Sequence, residues 1–483
     1  MKFEELPTSW ATVTLEALAD VSAGNPAPQG EANFAEDGLP FVRVQDMGRL
    51  QGKYLRATAD RVSEKGTQKL RLMPAGTVLL TKSGASTLLN QRAILGQDSY
   101  VVSHIATISS NLATSPDWLF YWLKTVDAVT LSHGGNMPSL PLSRVKQVEC
   151  PLAPLAEQQR IVEKIETLFA ELDQGEEALR EGQKLLARYR QSVLKAAVTG
   201  TLTANWRAAN GPPKETGEDL LARILEERRA TWQGRGKYKE PVEPETEGLP
   251  ELPEGWTWST MPMLGEFGRG KSKHRPRGDP KLYEDGKYPF LQTGRVRNSS
   301  GLISEYDKLY SDFGLAQSKL WPAGTVCITI AANIAESGIL EIDACFPDSV
   351  VGLVPHEEIE GAYVELFIRT AKADLDRFAP ATAQKNINLD TLNNVAVPLP
   401  PAEEQSEIAD KVTSLIGASM VIERGLEHEL DRSAALRQSI LKDAFSGKLV
   451  PQDPSDEPAE KLLERIRAAR AEKPKAKRKK AAA

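Results

Sequence analysis

The stretch Gly265–Ser272, GEFGRGKS, matches G-x-x-x-x-G-K-[ST], a loop whose amides and lysine cradle nucleotide phosphates when a buried strand delivers it and a helix follows. Here Pro276 and Pro280 stand where that helix would run, and proline inside a helix removes a hydrogen bond and clashes with the preceding turn. Upstream, WTWSTMPML is short, contains Pro262 and lacks the Val/Ile run of a strand buried on both faces. No apolar run ending in Asp offers a ligand for magnesium. The same region is dense in cations, with Arg269, Lys271, Lys273, Arg275, Arg277 and Lys281 against one acid, Asp279. Such density suits contact with a phosphodiester backbone better than nucleotide hydrolysis.

Other chemistry is sparse. Cys150, Cys327 and Cys345 have no C-x-x-C spacing, which predicts reduced, buried thiols in a cytoplasmic protein. The five histidines, His104, His133, His274, His356 and His428, show no paired metal-ligand spacing, so no metal site and no catalytic residue is expected. A chain of 483 residues exceeds one ordinary core. No stretch approaches about 18 uninterrupted apolar residues, and no signal-peptide core opens the chain, so neither a membrane span nor export is expected. The net charge of −6 averages over segments, and binding to nucleic acid needs only a local basic surface.

The elements that must position the basic loop occur twice. LPTSW at 6–10 returns as LPEGW at 252–256, and PAGTVLL at 74–80 as PAGTVCI at 322–328. PLAPLAEQQRIVEKI at 151–165 returns as PLPPAEEQSEIADKV at 398–412, and RQSVLKAAVTGTL at 190–202 as RQSILKDAFSGKL at 437–449. Four matches in one order, at offsets of 246 to 248, indicate an internal duplication. Against this repeat, GEFGRGKS falls opposite ADVSAGNP and only one glycine persists, Gly24 against Gly270. The element shared by both copies is a Gly-led loop before a strand, whereas a phosphate loop precedes a helix. The acids of EDGK at 284–287 would suit a nuclease beside Lys287, but EDG at 36–38 is followed by Leu39, and an Asp-Gly turn is the better reading.

Each copy alternates short β-like runs (FVRV, TVLLT, YVVSHIATI; PFLQT, TVCITIA, SVVGLV) with one helix-like stretch from Ser115 or Gly361, which predicts an α+β segment. A 4,3 seam then runs from Ile161 through Ile165, Leu168, Leu172, Gly175, Leu179, Gly182, Leu186, Tyr189 and Val193 to Ala196. A looser one runs through Ile408, Val412, Leu415, Ser419, Ile422, Leu426, Ser433 and Ile440. About 40 residues at ~1.5 Å each make a rod of ~60 Å, and two such helices in one chain predict an antiparallel intramolecular coiled coil. The expected organisation is α+β with a pseudo-twofold repeat. Globular segments span 1–150 and 251–397, long helices 151–204 and 398–450, a linker with a short helix 205–250, and a short helix with a basic tail, AEKPKAKRKKAAA, expected to be disordered, 451–483.

Two variable globular segments, each followed by PL-x-P-x-x-EQ-x-x-I and a long helix closing on RQS[VI]LK-x-A…G-x-L, resemble the specificity subunit of type I restriction-modification systems over essentially the whole chain. The resemblance implies a non-catalytic subunit in which each globular segment is a target recognition domain for one half of a split, asymmetric site in double-stranded DNA. The helices would space these domains and dock two modification subunits, which bring S-adenosylmethionine and methylate adenine. Restriction subunits using ATP and Mg can join. No cofactor is implied for this chain. A structural coiled-coil adaptor of another DNA-modifying complex, and a nucleotide hydrolase working through Gly265–Ser272, are the alternative readings.

On this reading the DNA-contacting candidates of the second segment are Arg269, Lys271, Lys273, Arg275 and Arg277, then Gln292, Thr293, Arg295 and Arg297, and near its end Gln384, Lys385 and Asn386. Those of the first are Arg43, Gln45 and Arg49 after FVRV, Lys82 and Ser83 after TVLLT, Asn90, Gln91 and Arg92, and His133 and Asn136 in HGGNMPS. Lysine and arginine supply phosphate contacts, while amides and guanidinium groups can hydrogen-bond base edges.

Overall fold

The computed structural model describes residues 6–472, apart from residue 88 and residues 111–113, 133–138, 234–235, 332–333 and 378–388. Contacts divide the chain into two units, Met1–Leu179 with Glu427–Ala483, and Arg180–Leu426. Each long helix therefore contributes one part to each unit.

In the first unit a five-stranded sheet runs in the order Ala19–Ala23, Ile105–Ser110, Val78–Thr81, Arg92–Leu95, Tyr54–Leu55. The second unit repeats it with Gly265–Arg269, Val350–Pro355, Val326–Thr329, Ser337–Leu340, Leu302–Ile303. Register is conserved between them: Val78 lies opposite Ile94 and Ile108, and Val326 opposite Ile339 and Leu353. A smaller sheet accompanies each, three-stranded around Phe34–Val42 and four-stranded around Tyr288–Phe290.

The unbroken apolar runs follow from burial on both faces. Val78, Leu80, Ile94 and Ile108 pack with the helix Pro116–Thr125, whereas Leu79, Ala93 and Leu95 pack with Phe41 and Val101 of the smaller sheet. That helix begins where Ser115 accepts from the Trp118 amide at 3.0 Å, with Pro116 fixing its first turn, and residues Trp118 to Leu123 are all buried. Cys150, Cys327 and Cys345 are free and buried, and burial raises all three thiols, Cys345 to about 11. No helix among the described residues is long and apolar enough to cross a membrane.

Helices Leu155–Val198 and Ala402–Phe445 pair antiparallel within each unit. In the first, Arg437 lies over the Phe169 ring at 5.0 Å and pairs with Asp173 at 2.6 Å, while Ser433 donates to Glu176 at 2.8 Å. In the second, Arg190 donates to Ser419 and Glu423, both at 2.7 Å. The apolar seam is thus buried only near the helix ends, at Ile161, Ile165, Val193, Ile408, Val412 and Ile440. Tyr189 and Ile422, expected in the seam, are 43% and 54% exposed, because the contact line passes through Arg190, Ser419, Glu423 and Leu426. The helices after each long helix dock crosswise. Gly217–Ala230 buries Leu220 and Ile224 in the core of the second segment, and Ala459–Glu472 buries Leu462 and Ile466 in that of the first.

Candidate nucleic-acid interface

The repeated motifs meet in one node per unit. Trp10 of LPTSW donates its indole N–H to Glu157 at 2.9 Å, and Trp256 of LPEGW donates to Glu404 at 2.8 Å. Both carboxylates are 1% exposed. The neighbouring glutamines brace the preceding backbone: Gln158 donates to the Ala153 carbonyl at 2.9 Å, and Gln405 to that of Pro400 at 3.0 Å. The glycine closing each helix adopts positive φ, 72° at Gly200 and 74° at Gly447. Gly200 rests against Pro253 and Trp256, and Gly447 against Pro7 and Trp10. Each long helix therefore closes on the LP-x-x-W of the other copy. Sequence reasoning treated these motifs as landmarks and missed the node, although their joint recurrence was the signal for it. The second oxygen of each carboxylate is filled differently: that of Glu404 accepts from Thr203 at 2.6 Å and from the Arg207 guanidinium, whereas that of Glu157 accepts from the neutral Gln452 amide. Burial raises the Glu157 carboxyl above its ordinary range, against the opposing pull of Trp10 and Gln452.

The phosphate-loop reading does not survive. Gly265–Arg269 is an edge strand of the five-stranded sheet, and no helix follows until a single turn at Pro280–Leu282. The glycine shared by both copies serves close backbone approach. A Cβ at Gly270 would lie 2.4 Å from the Phe346 and Pro347 carbonyls, and one at Gly24 2.3 Å from those of Val101 and Val102. The EDG glycines behave likewise, with a Cβ at Gly38 meeting the Val62 carbonyl at 2.3 Å and one at Gly286 the Leu309 carbonyl at 2.5 Å. Positive φ in that region belongs to Asp285, at 54°, and Glu36–Gly38 lies inside a bulged strand.

Behind the basic loop is a built scaffold common to both segments. In the first, the Ser63 amide donates to the Asn33 carbonyl at 2.9 Å and its hydroxyl to that of Ala32 at 3.1 Å. In the second, the Ser311 amide donates to the Leu282 carbonyl at 2.9 Å and its hydroxyl to that of Lys281 at 2.6 Å. Each serine caps a short helical turn, accepting from the Gly66 or Gly314 amide. In both segments a loop (25–33, 270–282) is thereby laid along a turn (63–71, 311–318). Lys271 and Lys273 are tied to this turn by their backbones, through Ser318 at 2.7 Å and Gln317 at 3.3 Å, leaving their side chains exposed.

The other candidates divide. Arg275 and Arg277 are exposed; Arg275 donates to local carbonyls and Arg277 to Asp348 at 3.2 Å. Arg269 is exposed on its strand. Gln292 and Thr293 open the helix Thr293–Asn298, where Arg297 is exposed. Arg295 is held by Asp307 at 3.0 Å and by Glu305. In the first segment Arg43 pairs with Asp60 and lies 5.5 Å from the Phe41 ring, with Gln45 and Arg49 exposed beside it. Lys82 and Ser83 are half-buried, and Asn90, at φ 52°, and Gln91 lie on the turn before Arg92–Leu95.

Arg92 departs from expectation. It is 6% exposed, its guanidinium donating to Asn90 at 2.7 Å and to the Val126 carbonyl at 3.1 Å, and burial lowers its pKa to about 10. It holds the fold rather than facing a ligand. His133, Asn136, Gln384, Lys385 and Asn386 lie outside the described residues.

Comparison with known proteins places this architecture. Residues 7–180 and 253–432 each match the family model described as the type I restriction modification DNA specificity domain. The chain is 25% identical to the type I restriction enzyme EcoDI specificity subunit of Escherichia coli, over 98% of this chain and 97% of that protein. It is 26% identical to the EcoKI specificity subunit of Escherichia coli (strain K12), with the same coverage. Among solved structures, the HsdS subunit from Thermoanaerobacter tengcongensis shares the fold at TM-score 0.54 and 20% identity, over 92% of this chain and 99% of that one. A chain from a structure of type I R-M complex assembly and conformational transition does so at TM-score 0.65 and 20% identity, over 92% and 100%.

Proposed function

The chain belongs to the type I restriction-modification DNA specificity family, and on that footing we propose how it divides its work. It is the non-catalytic recognition subunit of a multisubunit DNA-modifying enzyme. Residues 1–150 and 251–397 are the two target recognition segments, each reading one half of a split site. The observation that carries this is the pair of segments with one strand order and one register but different exposed side chains. A shared scaffold with different reading residues specifies two different half-sites, hence an asymmetric target.

Within each segment the reading groups are the exposed candidates Gln45 and Arg49 with the half-buried Gln91 in the first, and Gln292 and Arg297 with the half-buried Thr293 in the second, with the loop cations on phosphates. The long helices dock two modification subunits. Leu185, Tyr189, Met420, Val421 and Ile422, large apolar side chains 43% to 60% exposed on those helices, support this. The partners supply S-adenosylmethionine, and ATP with Mg where restriction subunits join, in the cytoplasm. Exchanging residues 1–150 for the corresponding segment of another such subunit should change one half of the methylated motif and leave the other intact. Change in both halves, or in neither, contradicts the assignment.

A further inference from the structure

We infer that the loop-on-turn ridge behind Ser63 and Ser311 is the phosphate-binding surface of both segments, with its cations supplied by opposite partners. The inference rests on the proposed DNA-reading function. The two ridges are superposable by hydrogen bonding: Ser63 matches Ser311, Ala32 matches Lys281, Asn33 matches Leu282 and Gly66 matches Gly314. In each, a Cβ on that glycine would come within 2.6 Å of the loop carbonyl, so the loop sits on the turn with no room to shift.

On this common frame the charges change sides. The first segment's loop, GNPAPQGEAN at 24–33, holds no lysine or arginine, and its turn, SEKGTQKLR at 63–71, holds Lys65, Lys69 and Arg71. In the second segment the matching turn SDFGLAQSK at 311–319 keeps only Lys319, opposite Arg71 and paired with Glu266, while the loop carries Lys271, Lys273, Arg275, Arg277 and Lys281. Lys65 takes the place that Phe313 holds in the second segment. The acids of the second ridge are engaged elsewhere, Asp279 with His274 at 2.7 Å and Asp312 with Lys287 at 2.8 Å, whereas the first ridge sets Glu31 and Glu64 against Lys65, Lys69 and Arg71 and keeps a smaller positive excess. Lys65, Lys69, Lys271, Lys273 and Lys281 are exposed and have no carboxylate partner among the described residues. A ridge that is cationic in both copies, through different residues, fits a ligand whose charge is the same at both half-sites while its bases differ. The phosphates of duplex DNA meet that description.

The test uses the complex assembled with its modification subunits and a duplex carrying its methylated site. Affinity is measured across a salt series for the parent, Lys65→Ala/Lys69→Ala and Lys271→Ala/Lys273→Ala. Each variant should lower the slope of log affinity against log salt by about 1.8, at about 0.9 per lost phosphate contact, without changing the motif methylated. Ethylation interference should disappear from one half-site in the first variant and from the other half-site in the second. A parent complex that binds its site selectively while either variant keeps the parental slope and interference would overturn the ridge and leave the reading function standing. A parent complex with no site selectivity would take both down. Thermal unfolding of the variants should match the parent, since these side chains make no hydrogen bond or ion pair among the described residues.

Discussion

Trp256 and Glu404, 148 residues apart, are joined by a 2.8 Å hydrogen bond from indole to carboxylate. Around it gather the start of the second segment, the start of one long helix and the end of the other. Glu404 also accepts from Thr203 and Arg207, so its removal strands three donors, one of them charged. Glu404→Ala should cost on the order of 3 kcal/mol, read by chemical denaturation, with Glu404→Gln milder. Parental stability in the alanine variant would show that the node is not a structural joint.

The equivalent carboxylate in the first unit predicts a pH signature. Burial raises the Glu157 carboxyl, so the folded chain binds that proton more tightly than the unfolded chain does. The resulting loss of stability sets in as pH rises through the unfolded value near ~4.3 and is complete above the raised folded value. Glu157→Gln cannot ionise and should gain stability relative to the parent as pH rises from about 4 to about 7. A difference that is flat with pH, or falls, contradicts the assignment.

Arg92 separates fold from ligand contact. Arg92→Ala should destabilise the first unit by about 2 to 4 kcal/mol, because it empties a buried site and leaves Asn90 and the Val126 carbonyl short of a donor. Among molecules that remain folded, the salt dependence of DNA binding should be parental. A reduced slope with unchanged stability would return Arg92 to the interface.

Gly175 lies within the helix Leu155–Val198 and is exposed, with nothing within 4 Å of a Cβ built on it. Alanine there should stabilise by up to about 1 kcal/mol through helix propensity alone. A loss of stability would mean that the position needs the gap.

The duplication, the α+β segments and the two long helices were legible because repeated letters and apolar periodicity report local structure directly. What the repeat concealed was exchange between copies: Gly447 packs on Pro7 and Trp10, although chain order suggests that each copy closes on itself. Ile422 fitted the seam by spacing, but the polar pairing of Arg190 with Ser419 and Glu423 moved the contact line past it. Arg92 looked like a surface cation in NQRAIL, and only the fold shows Asn90 and the Val126 carbonyl waiting for its guanidinium. The lysines at 65 and 69 escaped notice because their counterparts in the second segment are not basic. The two serines stand at the offset of the PAGTV repeat, so spacing already aligned these turns, and the serine hydrogen bonds show that the aligned residues do the same work.

Whether this chain chooses where a type I enzyme acts is decided by long-read mapping of methylated adenines in a host carrying its partner subunits, with and without the chain. A split, asymmetric methylated motif present only with the chain is the expected result. Identical methylation in both hosts, with the complex shown to be expressed and assembled, would contradict it.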